Sequence, residues 1–258
     1  MGATVAQLWR YPVKSFQGER VDELVIDERG VVGDRDWALI DPTTGTLLSA
    51  KRHARLFDAA ATTVGPDVVL RVPGGAEVAA TDPGASDVLS RWLGRDVELR
   101  HVDAGVRVGY EMTFDPPHDD AEYVEIPAPP GSFRDAADLH LLSTATLRGV
   151  AAARPDLDWD VRRFRPNVVI DPGAPADPFV EDGWRGREVR LGGARARVDK
   201  PTVRCAMPLR AQPGLLRQAR LYDALEQLHA NHLGVYASVV TGGPVAVGDP
   251  VDPPAIDG

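Results

Sequence analysis

Apolar and polar residues alternate in short runs along most of the chain, and glycine or proline closes nearly every run. "TVAQLWRY" (4–11) and "WALID" (37–41) are apolar and rich in aromatic or β-branched residues, which predicts strands. "DAAATTV", "DVVLRV", "DVELRHV", "NVVID", "EVRLGG", "ARVDK", "YASVVTG" and "VAVGD" repeat the pattern. "DPTTG" (41–45), between "WALID" and "TLLSA", is a turn signal and predicts a hairpin.

Three stretches change to a helical period. "GASDVLSRWLG" (84–94) spaces its apolar residues at 88, 89, 92 and 93 and stops at Gly94. "STATLRGVAAARP" (143–155) opens on a Ser/Thr cap and stops before Pro155. "PGLLRQARLYDALEQLHANHLG" (213–234) predicts the longest helix, with Leu215, Leu221, Leu225 and Leu228 along one stripe and Gly234 as its stop. The fold class expected is therefore mainly β with a few helices (α+β), built as barrels or sandwiches rather than as a parallel α/β sheet.

Two segments fit neither period. Residues 115–138 are crowded with proline and aspartate, as are the shorter residues 171–178. The first is expected to join two parts of the chain and to overhang a site.

Composition narrows the function. The 258 residues are 43% hydrophobic and 26% charged, as in ordinary soluble domains. A net charge of −9 argues against a nucleic-acid partner. The N-terminus does not read as a signal peptide and no apolar run reaches membrane-spanning length, so a cytoplasmic chain with no membrane partner is expected. Of the 29 basic residues only Lys14, Lys51 and Lys200 are lysines.

Candidate chemistry is sparse. Cys205 in "KPTVRCAMPL" is the one cysteine, and a lone thiol is ordinarily a small buried hydrophobe. "RRFRPNVVID" (162–171) concentrates Arg162, Arg163 and Arg165 ahead of Asn167, a planar-fork chemistry suited to phosphate or carboxylate, although arginines at a strand edge are common. "GVVGDRDW" (30–37) sets Arg35 between two aspartates, and "YPVKS" (11–15) ends on Lys14 and Ser15. Glu226, His229 and His232 share one helical face but lack the spacing of a helical zinc site. Phosphate-loop, dinucleotide and nucleophile-elbow motifs are absent.

Taken in order, "LWRYPVKSFQGERVDELVIDERGVVGDRDWALID", "SAKRHARL", "LHLLSTATL", "RRFRPNVVID", "PFVEDGW", "PTVRC" and "LGVYASVVTGGPVAVGDPV" resemble the MOSC family, proteins similar to the C-terminal domain of molybdenum-cofactor sulfurase and related to the mitochondrial amidoxime-reducing component. The resemblance implies an N-terminal β-barrel-like half (1–105) packed on a MOSC β-barrel (106–258). It implies that Cys205 ligates molybdenum carried on a pterin, a soft thiolate for an oxo metal, with Arg204 beside it favouring the thiolate. Lys14, Ser15, Arg35, Arg165, Asn167 and Thr202 become holders of the pterin and its phosphate, and Asp135 a catalytic neighbour of the metal. Where some relatives carry a Thr–Ser pair, this chain has Ala136 and Ala137.

The activity so implied is a molybdenum-cofactor oxidoreductase that reduces N-hydroxylated or N-oxide small molecules. One cysteine cannot hold an iron–sulfur cluster, so electrons must come from a separate donor of flavin-reductase or ferredoxin type. The alternatives are a sulfur carrier or sulfurtransferase using a Cys205 persulfide, and a non-enzymatic binding protein.

Overall fold

"TVAQLWR" becomes the strand Thr4–Arg10, whose register against Val168–Asp171 shifts between Val5 and Gln7. That irregularity lets Val5 and Leu8, three positions apart, both be buried in one core. The structure is a computed structural model. It describes residues 2–252 apart from 104, 106, 114, 115, 117, 119–121, 129, 130, 174 and 175.

Eight strands form the largest sheet, in the order Val251–Asp252, Glu188–Leu191, Ala194–Val203, His232–Thr241, Leu139–Ser143, Val168–Asp171, Thr4–Arg10 and Glu19–Val21. The fold is mainly β, with three α-helices among the described residues. Within this sheet only Leu139–Ser143 and Val168–Asp171 run parallel, and helix Thr144–Ala153 lies between them in the chain. Its cap is the expected one: Ser143 Oγ accepts from Thr146 N. The curled sheet encloses a core that includes Ile26, Leu141, Val168, Trp184, Leu191 and Val235.

A second core, with Val13, Phe16, Leu39, Phe57, Leu70 and Leu89, is walled by smaller sheets. These include Ala60–Val64 with Asp67–Arg71 and Glu77–Ala79, and Trp37–Ile40 with Glu98–His101. Helix Ala85–Leu93 closes it and ends at Gly94 in the left-handed conformation, as its sequence predicts. The chain leaves the large sheet after Arg10 and reaches this second core at Val13 and Phe16. Lys14 and Ser15 lie between Val13 and Phe16 in this crossing.

One expectation changes. The long helix over 213–234 is only Arg220–His229. Gly214 is left-handed, Arg163 Nη2 donates to Leu216 O (2.8 Å), and Gln218 N donates to Leu209 O (2.9 Å), so 213–219 is held as a loop. The helix stops at Ala230 and Asn231, and Gly234 instead belongs to strand His232–Thr241.

The hairpin at 41–45 is short: Ile40 and Leu47 form an antiparallel bridge, Asp41 N donates to Thr46 O (2.9 Å) and Leu48 N to Leu39 O (2.8 Å), while Trp37–Ile40 also pairs with Glu98–His101. Strands from the first 105 residues also enter sheets built by the rest of the chain. Thr4–Arg10 and Glu19–Val21 belong to the large sheet, and Glu23–Asp27 pairs with Gly243–Ala246. Residue 106 itself and residues 115, 117, 119–121, 129 and 130 of 115–138 lie outside the described residues, and that segment contains strand Val124–Pro127. Among the described residues, no helix is long and apolar enough to cross a membrane.

Candidate active site at Cys205

Strand Ala194–Val203 ends two residues before Cys205, and Arg204 N donates to Asn231 O (2.9 Å) while Asn231 Nδ2 donates to Arg204 O (2.8 Å). These bonds fix the backbone that presents the half-buried thiol. The thiol opens on a cleft lined mainly by polar and charged side chains. Its walls bring together Lys14, Ser15, Arg35, Asp135, Arg165, Asn167, Arg204 and Cys205 from across the chain.

Five cationic side chains, Lys14, Arg35, Arg134, Arg165 and Arg204, face one carboxylate, Asp135, in a chain of net charge −9. Tyr11 organises two of them: Arg165 lies 4.1 Å and Arg35 4.7 Å from its ring centroid. Arg35 pairs with the fully buried Asp34 and donates to Arg165 O (3.5 Å). Arg165 Nη1 donates to Phe16 O (2.7 Å). Burial, then the charge of Arg35, pushes the Arg165 guanidinium down to about 10. Arg204 Nη2 donates to Phe164 O (2.9 Å).

Three donors in these walls have no hydrogen-bond partner among the described residues: Arg165 Nη2, Arg204 Nε, and Arg134 Nε, the last of which lies 3.7 Å from Asp34 Oδ2. An unpaired buried guanidinium N–H is costly unless a bound anion or polar ligand takes it. Backbone strain gathers here as well. Ser15, Arg35 and Arg165 hold left-handed φ angles of 69°, 58° and 55°, conformations that non-glycine residues seldom adopt.

Asp135 sits between two lysines. Lys14 Nζ donates to its Oδ1 (2.5 Å) and to Phe133 O (2.6 Å), and Lys51 Nζ lies 2.9 Å from its Oδ2. Burial would raise the Asp135 pKa, but the two ammonium groups overcome it and hold the carboxyl well below the usual range. Burial pushes Lys14 down to about 8 in spite of Asp135. For Lys51 the balance is opposite: Asp135 and Cys205 outweigh burial and hold it above its ordinary value.

Two sequence candidates sit differently from their expected role. Thr202 is fully buried in its strand and is not part of the cleft wall, although its Oγ1 lacks a described partner. Asn167 lines the cleft but also knits strands: its Oδ1 accepts from His140 N (3.2 Å) and its Nδ2 donates to Trp9 O (3.5 Å). Ser15 Oγ accepts from Ala50 N (3.0 Å) and keeps its proton to donate.

Sequence reasoning did not single out Tyr11, Arg134 or His140. It noted Lys51 only as a rare lysine, and that scarcity was the usable signal, since two of the three lysines converge on Asp135. The His229 face is occupied locally, with Nε2 2.6 Å from Asp182 Oδ2 and the ring stacked on Phe179. His232 belongs to the following strand.

Two family models match this chain. Residues 2–96 match the MOSC N-terminal beta barrel domain and residues 129–252 match the MOSC domain. The chain belongs to the MOSC family. It is 24% identical to mitochondrial amidoxime reducing component 2 of Rattus norvegicus, over 96% of this chain and 82% of that protein. Identity to mitochondrial amidoxime-reducing component 1 of Homo sapiens is 25%, with the same coverages. Molybdenum cofactor sulfurase of Drosophila erecta is 25% identical over 78% of this MOSC chain, which spans only 27% of that protein. In fold, the YuaD protein of Bacillus subtilis is similar, with a TM-score of 0.50 at 13% identity over 97% of this chain and 94% of YuaD.

Proposed function

We propose that this MOSC protein binds the molybdenum cofactor with Cys205 as the metal's protein ligand and reduces N-hydroxylated or N-oxide small molecules. Relatives named amidoxime-reducing components align over nearly the whole chain, and their name supplies the substrate class. The observation that carries the reading is a pair of unpartnered buried donors, Arg165 Nη2 and Arg204 Nε, in a cationic cleft that also exposes the chain's one thiol. A phosphate-bearing pterin with its own sulfur ligands fits that donor set. Among the described residues no cluster of three or more His, Cys, Asp or Glu could hold a metal, so a metal here has to bring its other ligands with it.

When bound, the cofactor supplies two-electron chemistry: the substrate N–O bond breaks, two electrons come from a separate donor protein, and the oxygen leaves as water after taking up two protons. The chain's own residues bind and orient. Arg35, Arg165 and Arg204 take the anionic part of the cofactor, with Tyr11 holding two of the guanidinium planes. Asn167 fixes the strand ends beneath them. Asp135 stays ionised between its two lysines, so it accepts hydrogen bonds and does not compete for protons. Lys14, at about 8, holds at Nζ a proton that can be given up and regained near neutral pH.

The test is turnover of benzamidoxime to benzamidine with reduced methyl viologen as the electron source. Turnover by the wild type that falls at least 100-fold in Cys205→Ala is the expected result. Equal turnover in the two proteins would overturn the assignment.

A further inference from the structure

The cleft at Cys205 does not end at Ala136 and Ala137. A second, open groove carries Glu28, Asp138 and Ser238 and shares Arg134, Ala136 and Ala137 with the first. The two hollows adjoin along the two successive alanines, which form the saddle between them.

The walls on either side of that saddle are held in place. Arg134 Nη2 donates to Val31 O (3.2 Å) and Asp34 O (3.0 Å), and Nη1 also bonds Arg29 O, so its side chain is a wall and not a swinging gate. Glu28 stands in the turn between the paired strands Glu23–Asp27 and Gly30–Val31. Ser238 is on strand His232–Thr241, and its Oγ donates to Asp199 Oδ2 (2.6 Å). Asp138 Oδ2 accepts from Val239 N (3.1 Å), which ties the saddle to that strand.

We propose that the second groove is a substrate subsite: it takes the extended, polar, non-reacting end of an N-hydroxylated molecule whose N–O group lies in the first cleft. The inference rests on the proposed function. A cofactor filling the first cleft would leave the bulk of a longer substrate outside it. Across the saddle, carboxylate, hydroxyl and guanidinium groups line its path, which suits ether, hydroxyl or amide tails and offers little to a purely aliphatic one. The reacting step is unchanged by the tail.

The test compares two substrates reduced by the same viologen donor: hydroxylamine, which needs no groove, and a benzamidoxime extended at the para position by a hydroxyethoxy tail. Ser238→Trp and Glu28→Trp each fill the groove from a different wall at an exposed position, and thermal melting checks that each is folded. KM for the extended substrate should rise at least tenfold in a folded variant. Its kcat, the hydroxylamine kinetics and the molybdenum content should stay within twofold of wild type. Calorimetry of the extended amidine product should show the same tenfold weakening without turnover. Unchanged KM for the extended substrate in both folded variants, or equal losses for both substrates, would overturn the subsite while leaving the cofactor reading intact. A wild-type protein that holds no molybdenum would remove the cofactor reading itself, and the subsite with it.

Discussion

His140 shows how much one buried residue at the cleft can say about pH. Burial, reinforced by Arg204, pushes its imidazole down to about 3, and its Nε2 lies 3.4 Å from Leu233 O. The folded protein therefore keeps His140 neutral between about pH 3 and its ordinary value of 6.5, while the unfolded chain takes up a proton there. The unfolded state binds more protons across that window, so stability rises with pH and is lost on acidification from 6.5 downward. His53 is shifted in the same direction, by burial, and adds to the loss. Asp135 contributes in a lower window, because its held-down carboxyl loses stability only below the ordinary carboxylate value. Replacing His140→Gln should flatten the fall of Tm between pH 6.5 and 4.5 and leave the steeper loss below pH 4. A Tm that falls as steeply in the variant over 6.5–4.5 would show that His140 is not the group being charged.

Strand His232–Thr241 passes beneath the cleft, and Gly234 is its tightest point. With φ at +77°, an added Cβ would lie 2.6 Å from Leu141 O and 2.5 Å from His140 Nε2. Gly234→Ala should cost about 2–4 kcal/mol, from left-handed strain and a backbone collision together. That corresponds to a drop in Tm of roughly 5–15 °C, readable by calorimetry. A drop under 2 °C would mean that the strand yields there.

At this scale the sequence was informative where an element is decided locally. Ser143 and Gly94 mark helix ends by their own chemistry, and both act as read. The failure at 213–219 is tertiary, because Arg163, 53 residues away, captures the Leu216 carbonyl and Leu209 pairs with Gln218. Much the same distinction separates the site residues. Lys14, Arg35, Arg165 and Cys205 could be noticed in the sequence, but it was the resemblance to the MOSC family that made them site candidates. Tyr11 and His140 were not among them, since only the fold brings an ordinary tyrosine under two arginines or buries a histidine beside Arg204. Thr202 misled by proximity: it is three residues from Cys205, but its strand turns the side chain into the interior.

For the molecule as a whole, the site follows from the way the chain crosses between its two cores. The N-terminal strand is built into the large sheet, and the chain then enters the second core carrying Lys14 and Ser15. Met207, just past Cys205, packs on that second core from the other half of the sequence. A cationic cleft thereby forms in a chain whose net charge is −9, and the positive field is focused there. The unpaired donors of Arg165 and Arg204 and the strained residues around them accord with the proposal that a bound ligand completes the set. The direct test is molybdenum and pterin content, measured by mass spectrometry and fluorescence after purification from a host that makes the cofactor, for wild type and Cys205→Ala side by side. Close to one molybdenum per wild-type chain, lost in a folded Cys205→Ala, is the result this account expects. No molybdenum and no pterin in the wild type, or equal molybdenum in both proteins, would contradict it.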